Sequence, residues 1–394
     1  MKTKHSVVLF VFILMACLLS SCSTIPIRKP IPEKFGDTAQ IPGIPRAKFW
    51  GDEAPSFYRA IVGQSRQKLM QQFPGIFGQE HTYLAISGGG AKGAFGAGLL
   101  VGWSAAGSRP KFTMVTGVST GALMAPFAFL GSAYDNQIKE MYTTYSTKDL
   151  VTKYNILNTL TGSSAEDTTP LRKMLAKYIN KQIMEAIAAE YKKGRRLWIG
   201  TTNIDAKRPV IWNIGLIASS GQPDALELIH KIILASASIP AVFPPVLFEV
   251  EANGMRYDEM HVDGGTASQV FLYPANLDWK LVIQKFEVKG TSKVYVIRNS
   301  FIKPDWETVY PKILPIAGVS ISSLIRTQGI GDMYRIYLDC QRDGLEFNMA
   351  YIPRTFDLKP NEDFDPVYMG KLFDLGYQMA RNGYPWEKAP PGFE

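Results

Sequence analysis

The sequence predicts an α/β protein built on a mainly parallel sheet with helices on both faces. Three observations carry that prediction. Short apolar, β-rich runs alternate with longer stretches of helical pattern, giving expected strands at 82–86, 112–116, 197–202, 209–213, 246–250 and 293–298. A glycine-rich loop, Gly88 to Gly93, stands between the first run and the helical stretch Ala94 to Ala106. A second turn, Gly117-Val118-Ser119-Thr120-Gly121, stands between the next run and an apolar helix, Ala122 to Leu130. In such a sheet, functional loops gather at the carboxyl edge of the strands.

Composition narrows the function classes. The 394 residues are 46% hydrophobic and 20% charged, with a formal net charge of +8. These fractions are those of a globular protein and argue against a disordered or multi-span membrane chain. The mild basic excess suits an anionic surface without naming one. The four histidines (His5, His81, His230, His261) and three cysteines (Cys17, Cys22, Cys340) form no cluster at zinc-ligand spacing. A disulfide framework is excluded.

The N-terminus reads as a targeting signal. Lys2 and Lys4 precede an unbroken apolar run of 13 residues, Val7 to Leu19. That is shorter than the ~20 residues a membrane-spanning helix needs and fits the core of a signal peptide. The run ends in Leu19-Ser20-Ser21-Cys22, which resembles a bacterial lipobox whose Cys is acylated; an ordinary secretory signal is the alternative. Cleavage before Cys22 removes Lys2, Lys4 and no acid, so the net charge falls from +8 to +6. The expected location is the cell envelope, lipid-anchored through Cys22. With Ser23 following, that means the outer membrane facing the periplasm in a Gram-negative cell. Pro26, Pro30, Pro32, Pro42 and Pro45 suggest an extended tether. Pro55 to Phe73 suggests an amphipathic helix.

The glycine loop matches G-x-G-x-x-G at Gly88, Gly90 and Gly93. A dinucleotide site also expects an acid at the end of the next strand, and none stands there. Gly93 is followed by Ala94-Phe95, which excludes a Walker loop. Gly117-x-Ser119-x-Gly121, by contrast, lies where a nucleophile elbow belongs, between an apolar strand and a helix.

A serine nucleophile needs a base. Only His230 and His261 follow Ser119. His230 sits in an amphipathic helical pattern and reads as a packed or solvated helix residue. His261 shares a face with Asp263 if the segment is extended, and could orient it. Asp263 precedes Gly264 and Gly265, which permit a sharp turn and close backbone approach. An ordinary Asp-Gly turn is the competing reading.

Taken together, the blocks Gly88-Gly89-Gly90-Ala91-Lys92-Gly93, Gly117-Val118-Ser119-Thr120-Gly121 and Asp263-Gly264-Gly265 resemble, in order, those of the patatin-like phospholipase family. Ala235-Ser236-Ala237-Ser238-Ile239-Pro240 and Thr169-Pro170-Leu171 resemble further family segments, and Leu372 to Ala380 its terminal helix. The resemblance covers roughly residues 80–300. It implies a three-layer α/β/α sandwich with a mainly parallel central sheet. It also implies a Ser119–Asp263 dyad without histidine, and an oxyanion hole from the backbone of Gly88, Gly89 and Gly90. Gly93, Gly117, Gly121, Gly264 and Gly265 would support these loops. Lys92 would bind phosphate or fix the loop. A dyad base works best when its pKa approaches the working pH, so an apolar setting around Asp263 is expected. The chemistry needs no metal or other cofactor.

The implied activity is lipid acyl hydrolysis through an acyl-enzyme, with membrane phospholipid or lysophospholipid as substrate. An esterase or lipase on neutral lipids or small esters, or a non-catalytic envelope scaffold, are the alternatives. Nucleic acid is not an expected partner, because the signal places the chain outside the cytoplasm. Met141, Tyr142, Tyr145, Leu150, Met174 and Met184 form an apolar set suited to an acyl cleft or to core packing. Lys192-Lys193-Gly194-Arg195-Arg196 could touch headgroups or be a solvated loop. The expected organisation is a signal peptide at 1–21, an anchored and Pro-rich segment with a helix at 22–79, a catalytic core at 80–300, and a helical extension packed on the core at 301–394.

Overall fold

The computed structural model describes residues 28–153, 166–240, 242–303, 306 and 308–393. The expected signal peptide and Cys22 lie outside the described residues. Among the described residues nine strands form one sheet: β1 (Lys48–Trp50), β2 (Thr82–Ile86), β3 (Met114–Val118), β4 (Arg196–Asn203), β5 (Arg208–Asn213), β6 (Val246–Ala252), β7 (Met255–Asp263), β8 (Lys293–Arg298) and β9 (Glu346–Tyr351). The order across the sheet is β1-β5-β4-β3-β2-β8-β9. The run β4-β3-β2-β8-β9 is parallel throughout. β5 and β1 add on antiparallel, and the hairpin β6–β7 joins β4 antiparallel through β7. The sheet is therefore mixed but mostly parallel, as predicted.

Helices cover both faces because the strands are apolar on both sides. Leu84 and Ile86 point to one face with Val115, Leu197 and Ile199. There they meet α1 (Gly93–Ala105), α2 (Thr120–Leu130), α3 (Asp135–Thr143), α4 (Thr169–Tyr178), α5 (Lys181–Lys192) and α6 (Ala225–Ser236). Tyr83 and Ala85 point to the other face with Val294 and Val296. They pack there on Met333, Ile336 and Cys340 of α7 (Ile313–Asp343). α8 (Pro366–Arg381) crosses α1 at backbone contact. A Cβ on Gly98 would collide with the Phe373 carbonyl, and one on Gly102 with that of Tyr377. The small residues of α1 thus serve helix packing.

Several expectations need correction. The strand expected at 112–116 forms at Met114–Val118, because pairing with β4 continues through Val118↔Gly200 up to the serine. The segment 301–394 is not only helical. Its β9 is an edge strand paired in parallel with β8, hidden in the sequence by the polar Asn348 at its centre. The Pro-rich stretch is no free tether from residue 28 onward. Its backbone bonds to Asp258 and Glu251 on the β6–β7 hairpin, and Ala39, Ile41, Ile44 and Ala47 enter the core. The single helix expected at 55–73 is two, Ser56–Val62 and Arg66–Gln72, parted at Gly63.

Candidate active site

Strand β4 is the template of the site. Its Gly200 pairs with Val118, the last residue of β3, and its next residue, Thr201, pairs with Asp263, the last of β7. As β3 turns away into α2, β7 takes its place along β4. The turn leaves Ser119 in a left-handed conformation, φ 55 and ψ −124, in which a side chain is strained. The surroundings enforce it. Ser119 N–H donates to Ser236 Oγ at 2.9 Å, and Ser236 Oγ donates to the Gly200 carbonyl at 2.6 Å. A Cβ on Gly117 would stand 2.5 Å from the Gly121 carbonyl, so the elbow closes only with glycine on both sides of Ser119. Ser119 begins α2, whose amino end adds positive potential.

Asp263 is held by its backbone and by one oxygen. Its N–H donates to the Ser238 carbonyl at 2.8 Å, and its Oδ1 accepts from Gly265 N–H at 2.6 Å. Its Oδ2 is buried and, among the described residues, has no formed hydrogen bond. Burial pushes the Asp263 carboxyl up to about 7, against the stabilising influence of the Ser119 hydroxyl and the Gly265 amide. The Ser119 hydroxyl thus faces the carboxylate without completing a hydrogen bond.

The glycine loop is pinned by Asn299, just beyond β8. Asn299 Nδ2 donates to the Ser87 carbonyl at 2.9 Å, and Asn299 Oδ1 accepts from Gly96 N–H at 3.1 Å. A Cβ on Gly89 would collide with the Asn299 carbonyl. The three expected oxyanion donors divide. Gly88 N–H is committed to the Gln269 carbonyl at 3.0 Å, so it is not available; its lack of a side chain instead admits Ser119 Cβ, 3.2 Å from where its own Cβ would be. Among the described residues, the Gly89 and Gly90 amides donate to no other backbone carbonyl. Lys92 is half-buried with its ammonium over the Phe301 ring at 5.5 Å. Gly93 packs on Thr120, Gly264 on the Gly200 carbonyl, and Gly265 on Gln269.

Ser119 and Gly90 open on a narrow apolar cleft of about 50 Å³. Met141, Tyr142, Leu150 and Met174 of the expected apolar set line it, with Leu123, Ile239 and Phe243; Tyr145 and Met184 do not. Phe364 and Met369, from the C-terminal extension, complete the wall. Among the described residues no charged side chain lines it.

The histidines stand apart. His261 Nδ1 bonds Thr201 Oγ1 at 2.8 Å and Nε2 bonds Glu259 Oε2 at 3.1 Å, while Lys48 Nζ reaches Glu259 Oε1 at 2.9 Å. Both ring nitrogens are committed away from Asp263. His230 Nε2 bonds the Ile179 carbonyl. Within the run 192–196, Arg195 is buried against the Phe112 and Phe129 carbonyls rather than offered to headgroups. Among the described residues no group of three His, Cys, Asp or Glu gathers to hold a metal.

Sequence reasoning missed Ser236, Gln269 and Asn299 as site builders. Asn299 had a signal: a polar residue directly after a strand whose carboxyl end belongs to the site edge. Ser236 lay in a recognised block, but nothing in its spacing assigned it to the Ser119 amide.

A strained serine at a strand-to-helix turn, a buried carboxylate beside it and an apolar cleft in front define an α/β carboxylic ester hydrolase. Residues 84–276 match the family model described as patatin-like phospholipase, and this part of the chain is a patatin-like phospholipase domain. No curated protein matches the chain.

Proposed function

We propose that the chain is a membrane-anchored serine lipid acyl hydrolase of phospholipase A or lysophospholipase type. Ser119 Oγ attacks the ester carbonyl while Asp263 takes its proton. The Gly89 and Gly90 amides hold the oxyanion; one such donor is worth ~10²–10³ in rate. Asp263 returns the proton to the leaving alcohol, then deprotonates the water that attacks the acyl-enzyme and passes that proton to Ser119 Oγ as the acyl group departs as carboxylic acid. The observation that carries the reading is the Asp263 carboxyl, pushed up to about 7 and sharing its burial with the Ser119 hydroxyl. An ordinary carboxylate, with a pKa of ~3.9, would be a much weaker base near neutrality.

Phospholipid or lysophospholipid is the favoured substrate, since the domain's family and the lipobox-like Cys22 both point to a lipid surface. Anchoring through Cys22 would hold the enzyme in the bacterial cell envelope. The cleft lining, uncharged among the described residues, also suits neutral lipids, which is the second reading. The test is hydrolysis of phosphatidylethanolamine and its lyso form beside a triacylglycerol and short-chain p-nitrophenyl esters. Preference for the first two supports the proposal. Turnover of only the neutral substrates moves the assignment to a lipase or esterase, and no turnover of any ester favours a scaffold.

A further inference from the structure

Helix α7 is too long for the crossover it makes. It connects the carboxyl end of β8 to the amino end of β9, strands of 6 residues spanning ~20 Å. Its 31 residues span ~46 Å. The last turns, Asp332 to Asp343, are fixed on the sheet, with Met333, Ile336 and Cys340 buried and Leu345 bonded back to the Cys340 carbonyl just before β9. The excess length must therefore overshoot at the other end, the carboxyl edge that carries Ser119, Asp263 and the glycine loop.

The overshooting half is apolar and bare. Ile313 is 85% exposed, Leu324 70% and Ile321 57%, and the lead-in holds Trp306 and Tyr310 at 96% and 75%. From Thr308 to Gly331 there are two cations, Lys312 and Arg326, and no acid, although Asp305 and Glu307 precede the stretch. No described helix is long and apolar enough to cross a membrane. Apolar residues with aromatic and basic neighbours on a non-spanning helix suit the interface of a bilayer carrying anionic lipid. The base of the projection is tied to the catalytic edge. Asp332 Oδ2 accepts from Gln269 N–H at 2.6 Å, and Gln328 Nε2 donates to the Thr266 carbonyl at 3.4 Å, three residues past Asp263.

We propose that the amino-terminal half of α7, with Trp306 and Tyr310, inserts into the surface of a phospholipid bilayer and sets the catalytic edge against it. The inference deepens the lipid hydrolase reading and rests on it for the choice of occupant. The test uses the full chain and its Trp306→Phe variant, whose fluorescence difference isolates Trp306. Vesicles of brominated phosphatidylcholine with phosphatidylglycerol are expected to quench that difference. The double variant Ile321→Asp/Leu324→Asp, altered only at exposed positions and with the same N-terminus, is expected to lose the quenching. It should also hydrolyse vesicle lipid about tenfold or more slowly, while cleaving a soluble p-nitrophenyl ester as before. Unquenched Trp306 overturns the proposal; if light scattering then shows a dimer that the double variant dissociates, the surface belongs to a second copy. Quenching without hydrolysis of any ester leaves the docking intact and removes the hydrolase reading instead.

Discussion

Asp263 pairs with Thr201 one residue beyond the point where Val118 pairs with Gly200. One strand therefore measures out both halves of the site. Ser119 leaves the sheet at the level where Asp263 enters it, and Ser236 and Ser238 secure their two backbones. The strain at Ser119 and the burial of Asp263 are both consequences of that exchange of neighbours along β4.

The buried Asp263 carboxyl costs stability in a pH-dependent way. Below about pH 4 it is protonated in both folded and unfolded chains and costs nothing. Between its ordinary value of 3.8 and its folded value of about 7, the folded chain keeps a proton that the unfolded chain releases, so stability falls as pH rises. Above 7 the cost is fully present, ~4 kcal/mol at 1.36 kcal/mol per unit. Asp263→Asn is expected to raise the midpoint of urea unfolding at pH 8.5, to leave it nearly unchanged at pH 4, and to abolish turnover. Equal effects at both pH values would show that the carboxyl is not the source.

Ser236→Ala removes the acceptor of the Ser119 amide and the donor to the Gly200 carbonyl. Leaving these buried groups unpaired is expected to cost ~1–3 kcal/mol of stability. Because the elbow loses its support, kcat should fall about tenfold or more with little change in KM. Steady-state kinetics on a soluble ester, with unfolding measured in parallel, separates the two effects.

Filling the cleft should change chain-length selectivity. Met174→Trp puts a bulkier, rigid side chain into the lining of the cleft that Ser119 opens on. Excluding two methylenes of an acyl chain forfeits ~1.6 kcal/mol, or about fifteenfold in kcat/KM. The decanoyl-to-acetyl ratio for p-nitrophenyl esters is expected to drop by that order, with the acetyl ester little affected.

His261 belongs to the buried set Lys48–Glu259–His261–Thr201, with both ring nitrogens bonded away from Asp263. His261→Asn is expected to destabilise the protein by ~1–3 kcal/mol through unpaired buried partners. The folded enzyme should keep its kcat within about threefold. A loss of several orders of magnitude in well-folded protein would make His261 part of the proton path.

Much of the central scaffold, and the placing of Ser119 and Asp263 at one edge of it, was legible in the sequence, because both depend on local patterns. Apolar strands, a serine between glycines at a strand-to-helix step, and an Asp before two glycines each carry their own signal. The hairpin β6–β7 was only half visible, since Arg256, Asp258 and Glu259 break the alternation of a strand whose charged residues find partners in Arg28 and Lys48. Strand β9 and the cleft residues Phe364 and Met369 were missed because their roles come from contacts across the fold. The loss of Gly88 as an oxyanion donor was likewise invisible. Its amide is claimed by Gln269, far away in sequence.

The central claim is that Ser119 is the nucleophile and Asp263, poised near neutrality, its base. The most direct measurement is the rate of labelling by a fluorophosphonate as a function of pH, in the native chain and in Ser119→Ala. The predicted result is a rate that rises through an apparent pKa near 7 in the native chain and no labelling of Ser119→Ala at any pH. Labelling of Ser119→Ala at the native rate would contradict the account and place the nucleophile elsewhere.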